Sequence, residues 1–119
     1  MNAPAHFNKT ATHYFDFIVS ELQQLESLNN TDQPIIERLA FNLATIEACE
    51  QELFQDGYTI MGVHGKKEHP SVSIAMKAQA KVLESYKLLG LDAAHKLKIE
   101  QVKPEDLSKD PVLRILGRI

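Results

Sequence analysis

Residues 32–57 read DQPIIERLAFNLATIEACEQELFQDG, and this stretch decides the fold. Its apolar residues recur every three or four positions, which is the spacing of one face of an α-helix. Pro34 is tolerated only in a first helical turn, Asp32 is a suitable N-cap, and Gly57 favours a helix end. The stretch therefore predicts one long helix over about residues 33–55. Its apolar face holds Ile36, Leu39, Leu43, Ile46, Cys49 and Leu53.

A shorter amphipathic helix is predicted before it, over about residues 11–28. Only residues 29–32 connect the two helices, and so short a connection makes them an antiparallel hairpin. After Gly57 the helical period is lost, and residues 58–69 combine β-prone side chains with a turn that contains glycine. This segment predicts a short β-hairpin, which is marginal alone in water and must pack on helices or on a neighbouring chain. The apolar stripe of the first helix holds Phe15, Ile18, Leu22 and Leu25.

A third helix is predicted over about residues 70–89. His69-Pro70 marks its start, because proline is favoured in a first turn, and Gly90 marks its end. Its predicted apolar stripe consists of Val72, Met76, Ala80, Leu83 and Tyr86, with Ala75, Ala78, Val82 and Leu89 around it. The alanines permit close approach of another helix.

Two more short helices are predicted after it, one from Asp92 to about Glu100 and one after Asp110-Pro111. The chain is thus expected to be mainly α, with an antiparallel helical hairpin, a short β-hairpin, a third long helix and short C-terminal helices. We expect residues 1–101 to form a helical core domain and residues 102–119 to form a C-terminal tail with a short helix.

Charge is distributed unevenly along the 119 residues, whose formal net charge is -3. Residues 1–56 carry two basic and nine acidic side chains, whereas residues 57–119 carry eleven basic and seven acidic ones. A basic half can offer a face to phosphates, and two opposite halves can bring copies of one chain together. Plain solvation of both halves explains the pattern equally well. No segment is long and apolar enough to span a membrane, so no membrane association is expected.

The basic half supplies the candidate DNA-binding residues. Lysine side chains neutralise phosphates. The arginine and aromatic residues that read or stack on bases are not interleaved with these lysines, so contacts specific for a base sequence are not indicated. The candidates are Lys66, Lys67, Lys77, Lys81, Lys87, Lys96 and Lys98.

No catalytic constellation is visible in the sequence, which has no Ser/His/Asp arrangement, no glycine-rich phosphate loop and no dinucleotide fingerprint. His64, Glu68 and His69 have metal-ligand chemistry, but their spacing matches no metalloenzyme motif. His69 stands before a proline at a helix start, where a capping role is more ordinary. The sequence therefore predicts no enzyme and no metal or cofactor, and a small metal-dependent enzyme is left as an alternative. A single cysteine, Cys49, excludes an intramolecular disulfide.

The order of these elements resembles the phage terminase small subunit family. The resemblance covers residues 12–99, and the family pattern ends in Leu-Gly-Leu-Thr-Pro-x-x-Arg. Here Gly90 is followed by LDAAHK, so the proline is missing and Lys96 stands where the family has arginine. The features that carry the resemblance are Asp32 with the long helix, Gly57, the hairpin, His69-Pro70, the third helix and Leu88-Leu89-Gly90-Leu91.

The resemblance implies a non-catalytic component of viral genome packaging that acts in the cytoplasm of a bacterial host. Small subunits of this family form ring-shaped homo-oligomers and recognise double-stranded viral DNA. They position it for, and stimulate, a large subunit that carries the ATPase and nuclease activities. In many of them an N-terminal helix-turn-helix contacts DNA, but residues 1–56 are acidic here, which favours the basic half. A helical protein–protein interaction adaptor without nucleic-acid binding is the alternative function.

The last ten residues predict a docking segment. Asp110-Pro111 is followed by five aliphatic residues in eight positions, with two arginines one helical turn apart. A free tail would not ordinarily expose so much apolar surface. It can dock on its own core, on an adjacent subunit or on the large terminase subunit. The candidate partner-binding residues are Val112, Leu113, Arg114, Leu116 and Arg118.

Overall fold

The computed structural model describes residues 1–92. The predicted helix after Asp92, the boundary at residue 101 and the C-terminal tail lie outside the described residues. Within residues 1–92 the mainly helical class with one β-hairpin is confirmed. The elements are α1 (Lys9–Gln24), a 3-10 turn (Asn30–Asp32), α2 (Gln33–Asp56), β1 (Thr59–Gly62), β2 (Gly65–Glu68) and α3 (Pro70–Leu88).

α1 begins where the Asn8 side chain caps its first turn, and it ends four residues earlier than the sequence predicts. The early end has a local cause. Glu26 adopts a φ of +54°, and the Ser27 N–H donates to the Leu22 carbonyl at 2.9 Å. This is the bonding pattern of a Schellman ending, which turns the chain away from the helix axis. Glutamate here occupies a left-handed position that usually holds glycine.

α2 matches its predicted range to within one residue. Pro34 lies in its first turn, and Gly57, with a φ of +85°, ends it. Asp32 is the N-cap by position, but its side chain makes no capping hydrogen bond. Instead, the Asn29 side chain accepts from the Thr31 N–H and so caps the preceding 3-10 turn. The capping interaction therefore lies one turn earlier than predicted.

The core forms where α1 packs against the N-terminal half of α2. Phe15 and Leu22 of α1 and Ile36 and Leu39 of α2 are its largest fully buried side chains. Each contributes about 1.5–3 kcal/mol by leaving water. Val82 and Leu89 from the C-terminal half of α3 belong to the same cluster.

α3 packs along α2 through a seam of small and aliphatic residues. The seam residues of α3 are separated alternately by four and by three positions. This is the seven-residue repeat that is typical of paired helices. Small side chains allow the two backbones to approach closely, and aliphatic ones fill the space between them. The seam consists of Ser71, Ala75, Ala78, Val82, Ser85 and Leu89, all buried except the half-buried Ala75. Val82 and Leu89 share a core cluster with Leu39 of α2, and Cys49 and Leu53 are buried further along α2.

The apolar stripe predicted for α3 was wrong by part of a turn. Met76 and Leu83 are 66% and 59% exposed, and Ala80 is exposed as well. Val72 and Tyr86, the other two predicted members, are half-buried. Hydropathy favours the larger side chains, whereas close approach to α2 selects small ones. The larger residues are therefore left on the surface.

The β-hairpin connects α2 to α3 at the end of the α2–α3 pair that α1 does not reach. β1 and β2 run antiparallel, with Thr59 opposite Glu68 and Gly62 opposite Gly65. The predicted hairpin is confirmed, and its turn at residues 63–64 is one of the most exposed parts of the described chain. The Tyr58 carbonyl accepts from the His69 N–H at 2.9 Å, which ties the base of the hairpin to the start of α3.

Candidate nucleic-acid interface

The exposed outer face of α3 carries Lys77 and Lys81, one helical turn apart. Lys81 lies 3.5 Å from the carboxylate of Glu84, and both side chains are mostly exposed. An ion pair so exposed is worth little, because water screens both charges. Both lysines therefore remain available to phosphates.

Arg38 of α2 joins Lys81 at a shallow groove of about 370 Å³ between α2 and α3. The Arg38 guanidinium carbon lies 5.3 Å from the centroid of the Phe41 ring, a cation–π distance. The sequence-based set missed Arg38 because it belongs to the acidic half of the chain. Arg38 lies one helical turn after Pro34 and Ile35, and all three residues line the same groove. The sequence places these residues together, but only the packing of α3 brings Lys81 to them.

Lys66 and Lys67 lie apart from these residues, on β2 of the hairpin, where they pair with Met61 and Ile60 of β1. Both are exposed. The Lys67 side chain packs across the hairpin over Gly62, with its Cδ 3.0 Å from where a Cβ would stand. This stem contact leaves the ammonium group at the surface.

The structure thus divides the seven candidate lysines. Lys87 is exposed in the last turn of α3, about 80° round the helix from Lys77 at 100° per residue. Lys96 and Lys98 lie outside the described residues, as do the five candidate partner-binding residues of the tail. Among residues 1–92, Lys81 lines one groove with Arg38, and Lys77 lies one helical turn from Lys81 on α3.

An apolar groove of about 550 Å³, here called the tip groove, opens between the hairpin and the adjoining ends of α2 and α3. Two of its walls are strongly exposed, with Phe54 at 78% and Tyr58 at 60%. Lysines and glutamates lie side by side on its rim, so the groove has no single sign of charge. Its lining consists of Glu50, Leu53, Phe54, Tyr58, Thr59, Lys66, Lys67, Glu68, Val72, Ala75 and Met76.

His69 is a helix cap, as its place before Pro70 predicts. Its Nδ1 accepts from the Ser71 N–H at 3.0 Å, and its Nε2 lies 3.3 Å from a carboxylate oxygen of Asp56. An imidazole whose Nδ1 accepts carries its proton on Nε2, which then donates to Asp56. Both ring nitrogens therefore have partners. Within residues 1–92 no three histidine, cysteine, aspartate or glutamate side chains are grouped to hold a metal ion.

A second apolar groove, here called the α1–α3 groove, measures about 360 Å³. Burial is the main cause of a raised pKa for the Tyr14 phenol, and the carboxylates of Glu47 and Glu50 raise it further. The groove is lined by Tyr14, Phe17, Ile18, Glu21, Leu43, Tyr86 and Leu91.

None of the helices described in residues 1–92 combines the length and apolar character of a membrane span. Searches of curated proteins and of solved structures find no match. A family model described as phage terminase, small subunit, matches residues 11–106. This match covers most of the chain and agrees with the resemblance carried by the order of its elements. The chain belongs to the phage terminase small subunit family, whose role is in phage DNA packaging.

Proposed function

We propose that this chain is the DNA-recognising and regulatory subunit of a phage terminase, and that it binds duplex DNA through Lys77, Lys81 and Arg38. The observation that carries the proposal is that Lys81 lines one groove with Arg38 between α2 and α3, and that Lys77 lies one helical turn from Lys81 on the exposed side of α3. Family membership supplies the context, since packaging requires contact with viral DNA and with a large subunit that carries the ATPase and nuclease activities.

Such a site binds backbone phosphates and reads no bases. Each phosphate neutralised by a cation releases condensed counterions, so affinity falls as salt rises. Three cations per subunit give only weak binding alone. Repetition of the site around an assembly raises the avidity by orders of magnitude without new contacts.

We propose that the assembly is a closed homo-oligomer larger than a dimer. Its support is the apolar surface that is exposed within residues 1–92, chiefly Phe54, Tyr58 and Met76 at the tip groove and Leu83 on α3. Monomeric proteins rarely expose contiguous apolar patches of this kind. Native mass spectrometry at micromolar concentration measures the state directly. A clean monomer contradicts the ring.

The DNA proposal is tested by the double variant Lys77→Glu with Lys81→Glu. We expect weaker binding to any duplex, and a plot of log affinity against log salt that is shallower by about two phosphate contacts. The matched control is Lys66→Glu with Lys67→Glu, which changes the same charge at the hairpin. Native mass spectrometry should show the same oligomer for both variants.

Two results contradict the α3 site. An equal loss in both variants would mean that net charge alone governs binding. Full affinity in the α3 variant together with loss in the hairpin variant would move the site to the hairpin. If no variant and no wild-type preparation binds duplex DNA, the chain is instead an interaction adaptor.

The partner contact is proposed for the C-terminal residues Val112, Leu113, Arg114, Leu116 and Arg118. A short amphipathic segment of this composition suits docking into a groove of the large subunit. Deletion of Asp110–Ile119 should leave the oligomer and DNA binding intact and should abolish stimulation of the large subunit's ATPase. Loss of the oligomer, or full retention of stimulation, would reject this role.

A further inference from the structure

Phe41 is an aromatic residue of α2 that the core does not use. Its ring is 47% exposed, whereas Leu39 and Ala40, which precede it, are fully buried. At 100° per residue Phe41 lies about 200° round the helix from Leu39. Within residues 1–92 it belongs neither to the core cluster nor to the half-buried residues packed against that cluster. Packing in the core therefore does not account for this ring.

The guanidinium of Arg38 lies over the Phe41 ring, with its central carbon 5.3 Å from the ring centroid. Arg38 stands three positions earlier on α2, and residues three apart are neighbours on the surface of a helix. The face of an aromatic ring is negative, so it attracts the cation without accepting from any of its N–H groups in a conventional hydrogen bond. The contact holds the guanidinium and leaves its N–H donors available.

The carboxylates near Arg38 do not take up these donors. No ion pair described within residues 1–92 includes Arg38. Glu37, its neighbour in the sequence, accepts instead from the Gln33 side-chain amide at 3.2 Å. Lys81, the other cation of the groove, lies 3.5 Å from the Glu84 carboxylate. Among the described residues, Arg38 is thus the groove cation without a carboxylate partner, and its donors suit an external anion.

We infer that Phe41 is a positioning residue, which holds the Arg38 guanidinium at the groove between α2 and α3 so that it receives a DNA phosphate. The inference rests on the proposed binding of duplex DNA at Arg38 and Lys81. An unrestrained arginine side chain samples many rotamers and loses that freedom when it binds. Contact with the ring restricts the side chain before the phosphate arrives, so less freedom is lost on binding.

Phe41→Leu tests the inference, because it removes the ring and keeps an apolar side chain. We expect the affinity for a short duplex to fall about two- to five-fold, which is the range of an exposed cation–π contact. Phe41→Tyr keeps an aromatic face and should retain wild-type affinity. The matched control is Phe17→Leu, because the Phe17 ring is 56% exposed on α1 and no cation lies over it among the described residues.

A double-mutant cycle connects the effect to Arg38. In a chain that already carries Arg38→Gln, Phe41→Leu should cause no further loss of affinity. An equal loss with and without Arg38 would give Phe41 a role of its own and would overturn the inference. If the wild type binds duplex DNA and Phe41→Leu binds equally well, only this inference fails. If the wild type binds no duplex, the proposed DNA site fails and this inference fails with it.

Nuclear magnetic resonance tests the contact without DNA. Protons held over an aromatic face are shielded by its ring current, so the Arg38 side-chain protons of the folded wild type should resonate upfield of their positions in urea. Phe41→Leu should abolish this upfield shift, and Phe41→Tyr should preserve it. Unshifted Arg38 protons in the folded wild type would show that the ring does not hold the guanidinium, and the inference would be overturned.

Discussion

The Ser71 hydroxyl donates a hydrogen bond of 2.5 Å to the carboxylate of Glu52, across the ends of α2 and α3 that α1 does not reach. Ser71 is only 4% exposed, whereas Glu52 lies at the surface. Its bond to Ser71, with the bond from His69 to Asp56, fastens the start of α3 to the end of α2.

Ser71→Ala tests the contribution of this bond to stability. Hydrogen bonds to charged groups contribute about 1.5–3 kcal/mol, but the exposed Glu52 carboxylate regains water when its partner is removed. We therefore expect a loss of about 1 kcal/mol in the free energy of unfolding, measured in urea. Ser73→Ala, on the exposed side of the same turn, should change nothing. A double-mutant cycle with Glu52→Gln isolates the pair, and a coupling of zero would contradict the role given to it.

The two Schellman endings predict substitutions of opposite sign. Glu26 ends α1 with a φ of +54°, and Gly90 ends α3 with a φ of +70°. The left-handed region is unfavourable by about 1–2 kcal/mol in conformational free energy for a residue with a Cβ, and it is not unfavourable for glycine. We expect Gly90→Ala to destabilise the fold by about 1 kcal/mol and Glu26→Gly to stabilise it by up to that amount. Thermal unfolding of both variants measures the change in stability. Destabilisation by Glu26→Gly would contradict the prediction for that position.

Tyr14 predicts a specific change of stability in alkali. Its pKa is raised above the usual value of 10.0, chiefly by burial and further by Glu47 and Glu50. Above pH 10.0 the Tyr14 phenol ionises in the unfolded chain but stays protonated in the folded chain. The free energy of unfolding therefore falls as pH rises. Below it Tyr14 has no such effect. Tyr14→Phe should therefore flatten the decline in urea stability above about pH 10, relative to each protein's own value at pH 7. Parallel declines would show that Tyr14 does not contribute.

Arg38 provides a test that the charge pattern of the sequence would not suggest. Arg38→Gln removes one cation from the surface shared with Lys81. If Arg38 contacts a phosphate, the plot of log affinity against log salt should become shallower by about one contact. Lys9→Gln, an equal charge change at the exposed start of α1, is the control. An equal effect of the two substitutions would exclude a local contact at Arg38.

The helices and the hairpin could be predicted closely because their ends are set by local backbone chemistry. Pro34, Gly57, Pro70 and Gly90 restrict or release φ at single positions, and those effects need no partner. The end of α1 could not be predicted, since Glu26 adopts a conformation that its side chain disfavours. The backbone hydrogen bonds from Glu26 to Gln23 and from Ser27 to Leu22 hold that conformation.

The sequence by itself determined the element order, the helix boundaries at proline and glycine, and the segregation of acidic and basic residues along the chain. Tertiary structure alone decided which of the apolar residues of α3 are buried and that Lys81 and Arg38 line the same groove. Helix approach favoured Ser71, Ala78 and Ser85 over the larger Met76 and Leu83, because packing depends on the distance between backbones as well as on hydrophobicity. Likewise, Arg38 meets Lys81 only because α3 packs back along α2, and no local signal encodes a contact between residues so far apart in the chain.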